Sequence, residues 1–160
     1  MQILILRHAE KLSAFGSNNP PLSEKGQIQA KNLLKLFEEN KLFKPDQLWG
    51  STKVRTQQTL LPLAQNLGKT VLPLPALEEK KHTESRTQFI DRIQQQLNKI
   101  EKSQQNIMLC SHMDWLEEAL ALIPAAESVS NSIHSHWPSG AYFHFQIQDG
   151  LWHFQQSGQL

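Results

Sequence analysis

Apolar and polar residues follow two different periods along this chain, and the changes of period mark its elements. Gln2-Ile3-Leu4-Ile5-Leu6 is almost wholly apolar. A strand buried on both faces has this pattern, as in a parallel sheet covered by helices. The run stops at Arg7-His8, and the polar segment from Glu10 to Pro21, with Gly16 and two prolines, predicts a loop. Ser23 is the expected N-cap of a helix reaching about Asn40, because Gly26, Ala30, Leu33, Leu34 and Phe37 recur at helical spacing. Gln47 to Gly50 predicts a second strand. A second helix is expected from Lys53 to Leu67, with Leu60, Ala64 and Leu67 inward and Gly68 as its stop. Pro62 should kink that helix or remove a hydrogen bond from it.

Thr70 to Leu74 predicts a short strand, and the charged run Glu78 to His82 a loop. Phe89, Ile93, Leu97 and Ile100 predict a third helix over Glu84 to Lys102. Asn106 to Cys110 reads as another buried strand, ending at Ser111-His112, and a short helix is expected from Asp114 to Ile123. After a polar loop from Pro124 to Pro138 the period changes to two. Phe143, Phe145 and Ile147 alternate with Tyr142, His144 and Gln146, Asp149-Gly150 signals a hairpin, and Leu151 to Gln155 should be the partner strand. Four strand–helix units closed by a hairpin predict an α/β fold. The expected form is a three-layer α/β/α sandwich with a mainly parallel central sheet and a C-terminal β-hairpin, as one domain over residues 1–160.

Composition narrows the function. Apolar residues make up 39% and charged residues 19%, as in a globular protein with a core. A formal net charge of +1 argues against a broad basic face and so against a nucleic-acid partner. No apolar run approaches the roughly 20 residues needed to cross a bilayer, so no membrane partner is expected. The N-terminus lacks the features of a signal peptide, and the expected location is cytoplasmic. The one cysteine, Cys110, permits no internal disulfide and sits in the apolar run Ile107 to Cys110, where a buried small hydrophobe is expected.

Three predicted strands end in residues that carry chemistry. These ends hold Arg7-His8, Ser51 leading to Arg55, and Ser111-His112. Ligands of open parallel sheets bind beyond the carboxyl ends of the strands, so neighbouring strands would bring these groups into one pocket. Two arginines and two histidines on a near-neutral protein make a local cationic box. Its natural guest is a compact oxyanion, phosphate above all, because guanidinium forks match phosphate oxygens.

The motifs extend this reading. Leu6-Arg7-His8-Ala9-Glu10 resembles the signature of the histidine phosphatase superfamily, the phosphoglycerate mutase-like fold. Pro21-Leu22-Ser23-Glu24-Lys25-Gly26-Gln27-Ile28-Gln29-Ala30 resembles the family's next segment, and Ser51-Thr52-Lys53-Val54-Arg55-Thr56-Gln57-Gln58-Thr59 the element carrying its second arginine. Ser111-His112 resembles the block with the second histidine. The blocks follow in family order across most of residues 1–115. The sequence departs from the family pattern at Thr52, usually proline, at Thr56, usually alanine, and at Met113, often glycine. None of these removes a charged group. The chain most resembles the short SixA-type phosphohistidine phosphatases, being near minimal length and without long cap insertions.

The resemblance implies that His8 is the nucleophile and becomes phosphorylated. Arg7, Arg55 and His112 bind the phosphoryl oxygens and offset their charge, and water then releases phosphate without metal or other cofactor. The expected partner is a histidine-phosphorylated signalling protein. Family members acting on esters carry a general acid after the third strand. Glu78, Glu79 and Glu84 are the candidates here, and no motif selects among them. A departing imidazole has less need of an acid than an alkoxide. A phosphatase or mutase for small phosphate esters is the alternative, and a phosphate-binding module without turnover is the second. His82, His134, His136, His144 and His153 are expected in loops or strands. His134 and His136 lack a third ligand for a metal. Trp115, Trp137 and Trp152 are expected to pack in the core or at its rim, and Lys80-Lys81-His82 to form a solvated run.

Overall fold

The computed structural model describes residues 1–13, 17–125 and 137–160. Its elements run β1 (Gln2–Arg7), α1 (Glu24–Glu38), β2 (Gln47–Gly50), α2 (Val54–Leu67), β3 (Val71–Pro73), a 3-10 turn (Pro75–Leu77), α3 (Arg86–Ser103), β4 (Ile107–Ser111), α4 (Met113–Leu122), β5 (Ala141–Gln148) and β6 (Leu151–Gln159). They form one sheet in the order β3-β2-β4-β1-β5-β6. The first four strands of that order pair in parallel, and β5 and β6 add an antiparallel edge. This is the mainly parallel sheet with a closing hairpin that the alternating periods predict.

Strand β1 shows why the sheet is central. Ile3 and Ile5 point into a core shared with Phe89, Ile93 and Leu97 of α3 and Trp115 of α4. Leu4 and Leu6 point the other way, into a core with Leu33 of α1 and Leu60 and Leu63 of α2. Successive side chains of a strand alternate faces, so a wholly apolar strand needs a helix layer on each side. Each large side chain fully buried here contributes on the order of 1.5–3 kcal/mol. Trp115, Trp137 and Trp152 are among the fully buried side chains, in the core as expected.

Local chemistry sets the element ends. Ser23 Oγ accepts from Gly26 N at 3.0 Å and caps α1. Gly68 closes α2 in the left-handed region at φ 63°. Pro62 lies within a continuous α2, from which it removes one backbone N–H donor. The third helix begins at Arg86, two residues later than its apolar spacing suggests. Ser85 and Gln88 form a reciprocal capping box, which releases Glu84 into the preceding loop. The hairpin turns at Asp149 and Gly150, both with positive φ, as a tight turn matched to strand twist requires. Strand β6 runs to Gln159 rather than Gln155, because Ala141 at the start of β5 pairs with Gln159. Its polar tail has no apolar alternation to reveal this. Residues 126–136, including His134 and His136, lie outside the described residues. Among the described residues no helix is long and apolar enough to cross a membrane.

Candidate functional site

In the sheet order β2-β4-β1, the three chemistry-bearing strand ends are immediate neighbours. The ladder carries on past the strands: His8 N donates to Ser111 O at 3.0 Å and Ser51 N to Cys110 O at 3.2 Å. This fixes His8, Ser51 and His112 side by side at the carboxyl edge. The His8 and His112 rings lie edge to face with centroids 5.3 Å apart. Arg55, in the first turn of α2, reaches the same place: its Nη2 lies 3.1 Å from His112 Nδ1.

The nucleophile candidate is held in one orientation. His8 Nδ1–H donates to the Ala9 carbonyl at 2.7 Å, since a carbonyl only accepts, and Nε2 keeps its lone pair. Burial pushes the His8 pKa down from 6.5 to about 3, and the nearby His112, Arg55 and Arg7 push the same way. At neutral pH the ring is therefore an uncharged imidazole. The turn behind it is tied to α2, because Ala9 N donates to Thr59 Oγ1 at 3.0 Å. It is tied to the C-terminal region by Gly140 N donating to His8 O at 3.1 Å. Gly26 explains a second feature of the motif. A Cβ there would lie 2.0 Å from the Glu10 carbonyl oxygen, so only glycine lets α1 approach the chain leaving His8.

His112 is oriented from both sides. Ser51 Oγ lies 2.8 Å from Nε2, and Nδ1–H donates to Glu79 Oε2 at 2.8 Å. Thr56, standing where the family has alanine, places its hydroxyl 3.0 Å from Ser51 Oγ and so steadies that contact. Burial lowers the His112 pKa, opposed by the Glu79 hydrogen bond. Glu79 also pairs with Arg55 Nη2. The hydrogen bond from His112 is the largest cause holding its pKa at about 2, so its carboxyl group is ionised in the free protein.

The cationic groups retain unused capacity. Arg55 is 3% exposed, yet its Nε and Nη1 have no partner among the described residues, and neither has Arg7 Nε. Arg7 Nη1 donates to the Trp137 carbonyl, which fixes the head of that side chain. Buried N–H groups without acceptors cost free energy, and an oxyanion among them would relieve it.

Of the four residues predicted for the pocket, Arg7, His8 and His112 stand at the strand ends that the sequence implies, and Arg55 reaches His112 from the first turn of α2. Of the three acid candidates, Glu79 alone contacts them. Glu84 is taken by Arg92, with Nη2 to Oε2 at 2.8 Å, and Glu78 by the hydroxyl of Thr52 and by Lys81. Cys110 is fully buried and its thiol pKa is raised by burial, as expected of an inert core group. Sequence reasoning missed Arg92. Its guanidinium donates to Ala76 O at 2.8 Å, Glu78 O at 3.0 Å and Glu79 O at 3.3 Å, besides gripping Glu84. One side chain thus holds the loop that carries Glu79 against α3. Its polar position beside Phe89 on an amphipathic helix gave no signal.

Comparisons with known proteins bear on the family and the fold. The family model for the histidine phosphatase superfamily (branch 1) matches residues 3–83, just over half of the chain. No curated protein sequence matches the chain significantly. Among solved structures, the protein histidine phosphatase SixA complexed with tungstate is 17% identical, with a TM-score of 0.77 over 99% of this chain and 97% of that one. The alpha-ribazole phosphatase from Shigella flexneri is 18% identical, with a TM-score of 0.74 over 97% of this chain and 95% of that one. A mycobacterial glucosyl-3-phosphoglycerate phosphatase with inorganic phosphate is 15% identical, with a TM-score of 0.72 over 97% and 95%. At these identities the likeness shows a shared fold.

Proposed function

The chain belongs to the histidine phosphatase superfamily, and from that premise we propose that it is a metal-independent phosphatase acting through phospho-His8 on phosphohistidine carried by another protein. The observation that carries this reading is the buried, unpartnered guanidinium edge of Arg55 beside a neutral, singly oriented His8. His8 Nε2 attacks phosphorus and the bond to the leaving group breaks. Arg7, Arg55 and His112 N–H groups take the non-bridging oxygens, where charge stabilisation by fixed donors does most for the transition state. The arginines, rather than a metal ion, supply the positive charge. Water then cleaves the N–P bond of phospho-His8 and releases phosphate.

Glu79 bears on the substrate. Ionised and engaged by the Arg55 guanidinium and the His112 N–H, it has no proton to give in the free site. A leaving imidazole tolerates that better than a leaving alkoxide. The contact of Glu79 with His112 also supports a second reading, a phosphatase for small phosphate esters, in which an incoming phosphoryl group displaces the carboxylate and Glu79 then takes a proton from solvent and passes it to the leaving alkoxide. Turnover of a phosphohistidine protein beside aryl and alkyl phosphates separates the two. The first reading expects alkyl phosphates to be slower than phosphohistidine by about 10²–10⁴, the usual worth of general-acid help. Comparable rates on all three classes would move the assignment to esters.

A further inference from the structure

The site opens into a groove of about 400 Å³, far larger than one phosphoryl group needs. Arg55 and Glu79 lie at its inner end, and Lys11, Lys53, Lys80 and Lys81 line it from three separate segments. The groove's own carboxylates are already engaged. Glu79 is held by Arg55 and His112, and Glu78 by Thr52 and Lys81, the latter at 3.7 Å. Lys11, Lys53 and Lys80 have no ion pair among the described residues. The sequence from Lys11 to Leu22 contains no carboxylate that could neutralise them locally. On a chain of net charge +1, three free ammonium groups around one opening are a concentration of charge.

Each lysine also springs from anchored backbone. Lys11 is bridged to Leu22, Lys53 N donates to Ser51 Oγ at 3.2 Å, and Lys80 N donates to the Asp114 carboxylate at 2.8 Å. The backbone thus holds three flexible cations around the mouth while the rigid guanidiniums lie deeper.

We infer that this lysine rim docks an acidic stretch of the substrate protein, the carboxylates flanking its phosphorylated residue. The inference rests on the phosphatase reading above and adds its recognition element. Lysine, a hydrated point charge on a flexible stem, suits scattered carboxylates, whereas a second phosphate would be better gripped by a guanidinium fork. Among the described residues, no aromatic ring apart from His82 lines the groove for the ring system of a small ligand to stack on. Exposed charge pairs are individually weak and sensitive to salt, so the effect belongs to the set of three.

The test uses the intact protein and two phosphohistidine peptides, one with Asp and Glu flanks and one with Ser and Asn flanks. The acidic peptide should show about tenfold higher kcat/KM at low ionic strength, falling towards the neutral one as salt is added. In a Lys11→Ser, Lys53→Ser, Lys80→Ser variant that ratio should drop to about one. The singles Lys11→Ser and Lys80→Ser, which leave the α2 cap untouched, should each lower it in part. Equal turnover of both peptides by the wild type overturns the docking inference and leaves the phosphatase reading standing. A preference that survives in the triple variant overturns the assignment to these lysines. Failure of both peptides, with a small polyanionic ester turned over instead, overturns the inference together with the substrate class beneath it.

Discussion

Replacing Glu79 by Gln keeps the side chain's shape and removes one negative charge at the point where an oxyanion would bind. Glu79 takes the N–H of His112 Nδ1 at 2.8 Å and one from Arg55 Nη2, two donors that phosphoryl oxygens also need. Anions that share a donor lie about 5 Å apart, where an effective dielectric near 20 gives roughly 3 kcal/mol of repulsion per pair of unit charges. Glu79 is 40% exposed, so solvent screens this to about 1–2 kcal/mol. Glu79→Gln should therefore bind tungstate or vanadate about tenfold more tightly. The assay is the inhibition constant against an aryl phosphate. Because Glu79 is held at about 2, it stays ionised across neutral and mildly acidic pH, and the difference between the two proteins should be flat over that range. Phosphohistidine turnover should remain within about threefold, as no acid assistance is lost. Unchanged or weaker inhibition would refute the competition for Arg55 and His112. A hundredfold loss on alkyl phosphate alone would identify Glu79 as the proton donor.

Arg55→Ala should lower turnover by about 10²–10³, the usual cost of removing one preorganised charge donor, and a variant within twofold of wild type would place Arg55 outside the reaction. Arg92→Ala should release the Glu79 loop and lower kcat/KM about tenfold while changing the tungstate inhibition constant. Arg92→Lys should restore little, because an ammonium cannot reproduce the guanidinium contacts to Glu84 and the loop carbonyls. His8 gives stability a pH dependence whose sign follows from its depressed pKa. The unfolded chain binds a proton near 6.5 and the folded one only near 3, so stability falls as pH drops through that window. In His8→Ala, denaturant midpoints measured from pH 7 downward should fall less steeply than in wild type.

Much of the fold was legible because burial dictates sequence. The two-faced burial of β1 requires the apolar run Ile3 to Leu6, and β4 the run Ile107 to Cys110. Arg7, His8 and His112 were legible because each stands at the end of such a strand, and Arg55 because it follows β2 in a motif of its own. What escaped was decided by contacts distant in sequence. The extension of β6 to Gln159 depends on pairing with β5, and the choice of Glu79 over Glu78 and Glu84 depends on Arg92, on Lys81 and on the hydroxyl of Thr52. Thr52 illustrates the limit. Compared with the usual proline it reads as a departure, yet its hydroxyl holds Glu78 away from the arginines.

The central claim is that phosphorus passes through His8. Rapid quenching of the wild-type protein with labelled substrate, followed by peptide mapping, measures this directly. The account predicts an acid-labile, base-stable phosphoryl group on the peptide containing His8 during turnover, and none in His8→Ala, which should retain the wild-type circular dichroism spectrum. Label on another residue, or phosphate release by His8→Ala at a rate comparable to wild type, would contradict it.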